Sequence, residues 1–452
     1  MKTLLIFLLT LVTAWTMAQP IKPNSQVNRA SAGPKPVTTR QQTETITVLG
    51  DQAVTLDLDN FDHFRQQMMP LINQMAAKKL VGLGEGTHGT SEFYKIRYWI
   101  TKILVEEKGF NQVVFENDYA DSYRLNQAMP RASASELDAL MKQYLLAIWR
   151  NQEVKELLSW IQTHNRSAKK PVTFGGMDAM FMSNDARVLQ ELTRRFQHAE
   201  TDNLTQLLVK LAVTRDSIWY NANRKDFAIP DSVSNANLVQ GYETIKKLEP
   251  ILARLPLSTQ QRDVAMNMAK NIFLQLAGPY TYITKKIGSF DRDSCMAVMA
   301  TRFLHKPEDK VIIWAHDFHV AHTSIYDGAV GGTGGYIEQM YPGQYFALGT
   351  GTATGTFAAT DDRFITHASQ MKTVSLAIPA DSLWEGQLAQ ASAPAFYMDL
   401  AKWPKESTNL TYRAVGYGPK SGKSTHDKSH PVSELFDAYL FIRDTKAAQF
   451  IK

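Results

Sequence analysis

The chain has 452 residues, 44% of them hydrophobic, with 49 Lys and Arg against 44 Asp and Glu and a single Cys. One cysteine excludes an intrachain disulfide framework, a four-cysteine zinc site and a cysteine-ligated cluster. A net charge of +5 is mild and carries no concentrated basic stripe, so nucleic acid is not an expected partner.

The chain opens on a targeting pattern. Lys2, the apolar run Leu4 to Val12 and the small residues around Thr16-Met17-Ala18 predict a signal peptide over residues 1–18. The run is too short for a mature membrane span, and no later charge-free apolar stretch of about 18 residues replaces it. No membrane span is therefore expected, and the protein is expected to be periplasmic or secreted. Residues 19–45 hold Pro20, Pro23, Pro34 and Pro36 among many Ser, Thr, Asn and Gln. Such a segment buries too little surface to offset its ordering entropy and reads as a flexible tether. Folded structure is expected from about Ile46-Thr47-Val48-Leu49, opening one domain over 46–452.

A recurring pattern follows, in which a short apolar run ends in a polar cluster. Leu80-Val81-Gly82-Leu83 leads into Glu85-Gly86-Thr87-His88, and Gln112-Val113-Val114-Phe115 into Glu116-Asn117-Asp118. Val172-Thr173-Phe174 leads into Gly176-Met177-Asp178, and Val311-Ile312-Ile313-Trp314 into His316-Asp317-Phe318-His319. Short continuous apolar runs of this kind predict buried strands of a parallel sheet. Between the first two runs, Phe93, Ile96, Ile100, Ile103 and Leu104 fall at helical spacing, with Gly109 where a C-terminal cap belongs. Residues 183–304 are rich in Leu, Lys, Gln and Ala and predict a large helical insertion. Further strands are expected at Tyr345–Leu348, Ala395–Met398, Thr411–Val415 and Ala438–Ile442. The expected fold class is α/β, a mostly parallel sheet flanked by helices and carrying that insertion.

Ligands of open α/β sheets bind beyond the carboxyl ends of the strands. Parallel strands would therefore gather Glu85, His88, Glu116, Asp118, Asp178, His316 and His319 in one crevice, a set with the composition of an acid–base site. Each of these residues alone reads more often as a helix cap or a solvated loop residue, and it is their convergence that points to a site. His316, His319 and His322 form H-x-x-H-x-x-H, which suggests a metal, but neither helical nor strand geometry puts all three on one face. No required metal or other cofactor is expected. There is no G-x-S-x-G elbow, which argues against a serine esterase. Gly418 to Ser424 lacks the Gly of a phosphate loop and reads as a surface loop. Gly331 to Gly335 reads as either a lid hinge or a plain turn, and Cys295 as buried and inert. Trp149, Trp160, Trp219, Tyr220 and Tyr280 are candidates for a cleft wall or ordinary core aromatics.

The block Gly84-Glu85-Gly86-Thr87-His88-Gly89-Thr90-Ser91-Glu92-Phe93 resembles the signature of the erythromycin esterase family. Val114-Phe115-Glu116, Gly176-Met177-Asp178, Arg292-Asp293-Ser294-Cys295-Met296 and Phe436-Asp437-Ala438 are similar to its later blocks. Trp314-Ala315-His316-Asp317-Phe318-His319 resembles W-A-H-N-x-H, with Asp317 in place of the usual Asn. The resemblance implies attack of water on an ester or lactone of a small molecule, without a covalent intermediate. It implies His88 as general base and Glu85, Glu116 and His316 as residues that orient water or assist. His319, Asp178 and Glu92 are further supporting candidates. Arg292 would stabilise negative charge or simply form an ion pair. The alternative expectation is a non-catalytic haem- or metal-binding protein of a related fold.

Overall fold

The structure is a computed structural model describing residues 53–221, 229–287, 291–323, 332–361, 371–403, 405–418 and 431–451. The expected signal peptide, tether and first folded residues at 46–49 lie outside these, as does nearly all of the 418–424 loop.

The described residues begin with β1 (Val54–Thr55), α1 (Phe61–Ala76), β2 (Leu80–Leu83), α2 (Ser91–Lys108) and β3 (Gln112–Asp118). It continues through α3 (Tyr119–Ala128), α4 (Ala134–Tyr144), α5 (Gln152–Asn165) and β4 (Thr173–Asp178). Among the described residues five helices follow without a strand: α6 (Met182–Arg194), α7 (Ala199–Asn221), α8 (Asp231–Arg254), α9 (Thr259–Lys285) and α10 (Arg292–Thr301). Then come β5 (Val311–Trp314), α11 (Asp317–Val320), α12 (Thr333–Met340), β6 (Tyr345–Ala359) and β7 (Lys372–Ser375). The last elements are α13 (Trp384–Leu388), β8 (Ala395–Asp399), α14 (Val432–Leu435) and β9 (Ala438–Thr445).

The strands form one sheet in the order β1-β8-β9-β6-β2-β5-β3-β4, with β7 paired to β6. From β9 to β4 every neighbour is parallel, whereas β1, β7 and β8 pair antiparallel. The fold is thus α/β with a mostly parallel sheet. Both faces are covered, which is why the central strands are continuous apolar runs instead of alternating ones. Leu80, Val114, Ile313 and Ala347 join Leu189, Leu208, Leu248 and Ile272 of the five-helix layer. Val81, Val113, Ile312 and Phe346 meet Phe64, Ile100, Leu104 and Leu157 on the other face. Gly109 caps α2 at φ +75°, where a Cβ would be strained.

Leu83 of β2 and Phe115 of β3 both lie opposite Trp314 of β5. Glu116 and the residues that follow β2 and β5, Gly84 and Ala315, therefore stand at one level of the sheet. The β3–β4 pairing then shifts register between Phe115 and Asp118, a bulge that turns the Glu116 region out of the regular ladder. Strand β3 runs on through Asp118, and β6 is far longer than the four apolar residues that announce it. The expected strand at Thr411–Val415 forms no named strand. Val415 makes one bridge to Thr87, because its neighbour there is the loop after β2, which offers only two backbone bonds. Residues Thr333 to Gly335 form the first turn of α12, while Gly331 lies outside the described residues. Among the described residues no helix is long and apolar enough to cross a membrane.

Candidate active site

The loop after β2 brings Glu85 and His88 together. His88 Nδ1 lies 2.7 Å from Glu85 Oε1, and Arg97 Nη2 donates to Glu85 Oε2 at 2.8 Å. Glu85 and Arg97 are fully buried. The Arg97 guanidinium lies 4.5 Å from the Trp314 ring centroid and 4.9 Å from that of Tyr94, so aromatic faces supply part of the solvation it loses. Facing a fixed cation, Glu85 accepts the Nδ1–H of His88 and leaves Nε2 as the basic atom of the ring. Two close backbone approaches fix the loop. A Cβ on Gly86 would fall 2.2 Å from the Thr350 carbonyl oxygen, and Gly89 has φ +73°. The backbone of Val415 completes the clamp, donating to Gly86 O at 2.8 Å and accepting from His88 N at 3.0 Å.

His316 is the residue before α11, and its ring centroid lies 4.6 Å from that of His88. Its Nδ1 accepts the Phe318 N–H at 3.2 Å, so the ring proton resides on Nε2, 3.3 Å from Val415 O. Burial and the neighbouring His88 push its pKa well below the ordinary histidine value, which keeps His316 a neutral donor.

Glu116 ties the two sides of the crevice together. Its Oε2 accepts the His316 N–H at 3.1 Å, and its Oε1 accepts from Arg292 Nη2 at 3.0 Å. His319 Nε2 lies 3.4 Å from the same Oε1. Burial opposes the charge on Glu116, but His319, Arg292 and His88 more than offset that cost, and its pKa falls well below the carboxylate range. Arg292 also grips both oxygens of Asp178, with Nε to Oδ1 at 2.9 Å, a bidentate fork. Burial disfavours its charge, yet Asp178 and Glu116 raise its pKa above the ordinary value. His319 Nδ1 lies 2.6 Å from Asp293 Oδ1, and Arg292 Nη1 lies 3.0 Å from Nε2. Burial lowers the His319 pKa, while Asp293 and Glu116 raise it to about 9. Arg292 favours a neutral ring, but the carboxylates win, and in the charged form the Nε2 proton is directed to Glu116.

Of the residues expected from the sequence, Glu85, His88, Glu116, Asp178, Arg292, His316 and His319 meet here. Glu92 does not join them by any of these bonds; its carboxylate accepts the Lys446 N–H at 2.8 Å. Asp118 caps α3 instead, accepting Asp121 N. His322 turns away to Asp437 at 2.7 Å, so the H-x-x-H-x-x-H run is divided between two places. Among the described residues no group of three or more His, Cys, Asp or Glu is arranged to hold a metal ion. Trp149 is buried beneath the site and donates Nε1–H to Glu116 O at 3.0 Å. Trp160 and Tyr280 bond to Glu106 and Glu243 on exposed surface. The side chains of Trp219 and Tyr220 lie outside the described residues. Cys295 is buried, and burial raises its thiol to about 12.

Arg97 and Thr333 escaped sequence reasoning. Arg97 had a signal: it sits beside Ile96 on the buried face of α2, where a lone cation implies a buried anion. Asp317 is buried and accepts the Thr350 N–H. Burial raises its pKa well above the carboxylate range. Held neutral, it keeps the hydrogen-bonding character of an amide at the position where W-A-H-N-x-H has Asn.

The sequence matches the family described as erythromycin esterase over residues 105–445. Erythromycin esterase type II of Escherichia coli is 23% identical over 328 residues, covering 67% of this chain and 74% of that protein. The putative hydrolase YbfO of Bacillus subtilis strain 168 is 23% identical over 373 residues, covering 75% and 78%. A mutant of the erythromycin esterase EreC in its open conformation has a similar fold, with a TM-score of 0.67 at 17% identity over 88% of this chain and 99% of that one.

Proposed function

The chain belongs to the erythromycin esterase family, and from that premise we propose that it hydrolyses an ester or lactone by general-base attack of water. Membership supports a hydrolase of the esterase kind; the mechanism rests on the Glu85–His88 pair at 2.7 Å. His88 Nε2 takes a proton from water as the oxygen attacks the carbonyl carbon. Glu85, held by Arg97, receives the Nδ1–H bond and stabilises the imidazolium that forms. The neutral His316, its Nε2–H held by Val415 O, sets its ring beside that of His88 and helps to place the base for the attack. Glu116 keeps His316 and His319 in register with one another. No side chain forms a bond to the substrate, in keeping with the missing serine elbow.

The substrate class is a small-molecule ester or lactone. A macrolide macrolactone is the specific candidate, on the strength of what the Escherichia coli relatives are named for. Purified protein assayed against macrolides and simple aryl esters tests the reading. Hydrolysis of at least one class, lost in His88→Asn, supports it; equal rates for both proteins would overturn it.

Export is part of the same proposal, carried by Lys2, the apolar run and Thr16-Met17-Ala18. Mature protein from the native host should begin at Gln19, and an intact Met1 in that pool would contradict it.

A further inference from the structure

The site contains a second carboxylate–histidine pair. His319 Nδ1 meets Asp293 Oδ1 at 2.6 Å much as His88 Nδ1 meets Glu85 Oε1. Asp293 is itself anchored: its Oδ1 accepts both the backbone N–H and the hydroxyl of Thr333 at 2.9 Å. Those bonds join the start of α10 to the start of α12 across the end of β5. Burial opposes ionisation of Asp293, but His319 and Arg292 lower its pKa below the usual value, so it is an acceptor. The imidazole is thereby turned with Nδ1–H outward and Nε2 toward Glu116.

Nε2 has a partner in either protonation state. With a proton it faces Glu116 Oε1 at 3.4 Å; without one it accepts from Arg292 Nη1 at 3.0 Å. A proton can therefore leave this atom and return with a partner for Nε2 in each state, Glu116 when it is charged and Arg292 when it is neutral. His316 lacks that freedom, since both its nitrogens are committed to backbone groups.

Resting on the hydrolase reading, we propose that Asp293 is the positioning residue of a second diad, in which His319 Nε2 is the general acid for the departing alcohol. Water gives one proton to His88 Nε2 and its oxygen bonds to the carbonyl carbon. The tetrahedral intermediate collapses, the carbon–oxygen bond of the ester breaks, and the leaving oxygen keeps the electron pair. That oxygen takes the proton of His319 Nε2 and departs as the alcohol. The proton on His88 returns through water to His319, so water and ester become acid and alcohol with nothing left over. The raised pKa of His319, to about 9, keeps the acid loaded at neutral pH. The charged and titratable groups around it are Asp293 and Arg292 on α10, Glu116 on β3, Asp178 on β4 through Arg292, and His316 and His88 across the crevice.

The test reads the proton on His319 and the leaving group separately. Imidazole NMR, with His319 assigned by comparison with His319→Gln, should give a His319 pKa near 9. Asp293→Asn should lower it by at least about one unit, since a neutral partner no longer favours the charged ring. An aryl ester needs little help in leaving and an alkyl ester needs much. Asp293→Asn should thus lose about 10²-fold or more in kcat on alkyl esters but under about tenfold on aryl esters. Thr333→Val, which removes only one anchoring bond, should show the same pattern more weakly and serves if Asp293→Asn folds poorly. Asp293→Glu should recover the alkyl rate in part. His88→Asn should lose both ester classes equally, so failure of the base assignment is distinguishable from failure of this one. An unmoved His319 pKa, or equal losses on the two ester classes for both Asp293→Asn and Thr333→Val, would overturn the proposal.

Discussion

Glu116 Oε2 accepts the backbone N–H of His316 at 3.1 Å, so a carboxylate near the end of one strand fixes the main chain leaving its neighbour. The same carboxylate faces Arg292 and His319 through its other oxygen. Glu116→Gln keeps the shape but removes the charge that balances Arg292 and a protonated His319. The expected outcome is a kcat at least about tenfold lower with little change in KM, because positioning in the transition state is what is lost. Steady-state kinetics on one ester checks it; a change confined to KM would contradict the role given to Glu116.

Arg97 makes a different forecast, because its partner is a buried anion. Arg97→Met fills the aromatic box but leaves Glu85 uncompensated, which costs about 3–5 kcal/mol when one member of a buried pair is removed. Urea denaturation should register a loss of this order, and activity should fall with it because Glu85 no longer holds His88. A variant as stable as the native protein would show that the pair adds little.

Asp317 yields a pH test. Its folded pKa is raised by burial, so between the unfolded value of about 3.9 and the raised folded value the native state binds more protons than the unfolded state. Stability from this group is full below the unfolded pKa and falls as pH rises above it. Asp317→Asn carries no such titration. The variant should gain stability relative to the native protein from about pH 4 upward, because only the native protein loses stability to this group as pH rises. Thermal unfolding of both proteins across that range checks it. A relative gain that appears as pH falls would mean that the carboxylate is charged and paired.

Much of the site was legible because parallel strands end together. Four apolar runs with polar ends were enough to gather Glu85, Glu116, Asp178 and His316, and the register of Leu83, Trp314 and Phe115 explains why. The unread parts lack a local signature. Strand β6 runs through Thr350-Gly351-Thr352-Ala353-Thr354-Gly355, whose small residues carry no apolar run yet let Tyr439 and Thr445 approach. Val415 acts through its backbone, which sequence pattern does not reveal. The role of Asp293 depends on Thr333, 40 residues away, and no spacing rule links them. Glu92 had the right motif but lies where the C-terminal segment needs an acceptor.

The histidines should need no metal for turnover. His88 Nδ1 is held by Glu85, both nitrogens of His316 face backbone groups, and His319 Nδ1 is held by Asp293. Dialysis against a strong chelator should leave most of the activity. Complete loss, restored by one added divalent metal, would require these rings to be rearranged as ligands. In the same assay His322→Ala should be nearly silent and His316→Ala severe, since His322 faces Asp437 away from the crevice.

The central claim is that His88 is the base, and the most direct measurement is kcat for His88→Asn with its fold verified by circular dichroism. Asn keeps a polar group where Nδ1 meets Glu85 but has none at the position of Nε2 and cannot take a proton from water. A positioned base contributes about 10²–10⁴-fold, so the account predicts a kcat lowered at least about a hundredfold on every ester the native protein cleaves. A normally folded His88→Asn protein with the native kcat would contradict it.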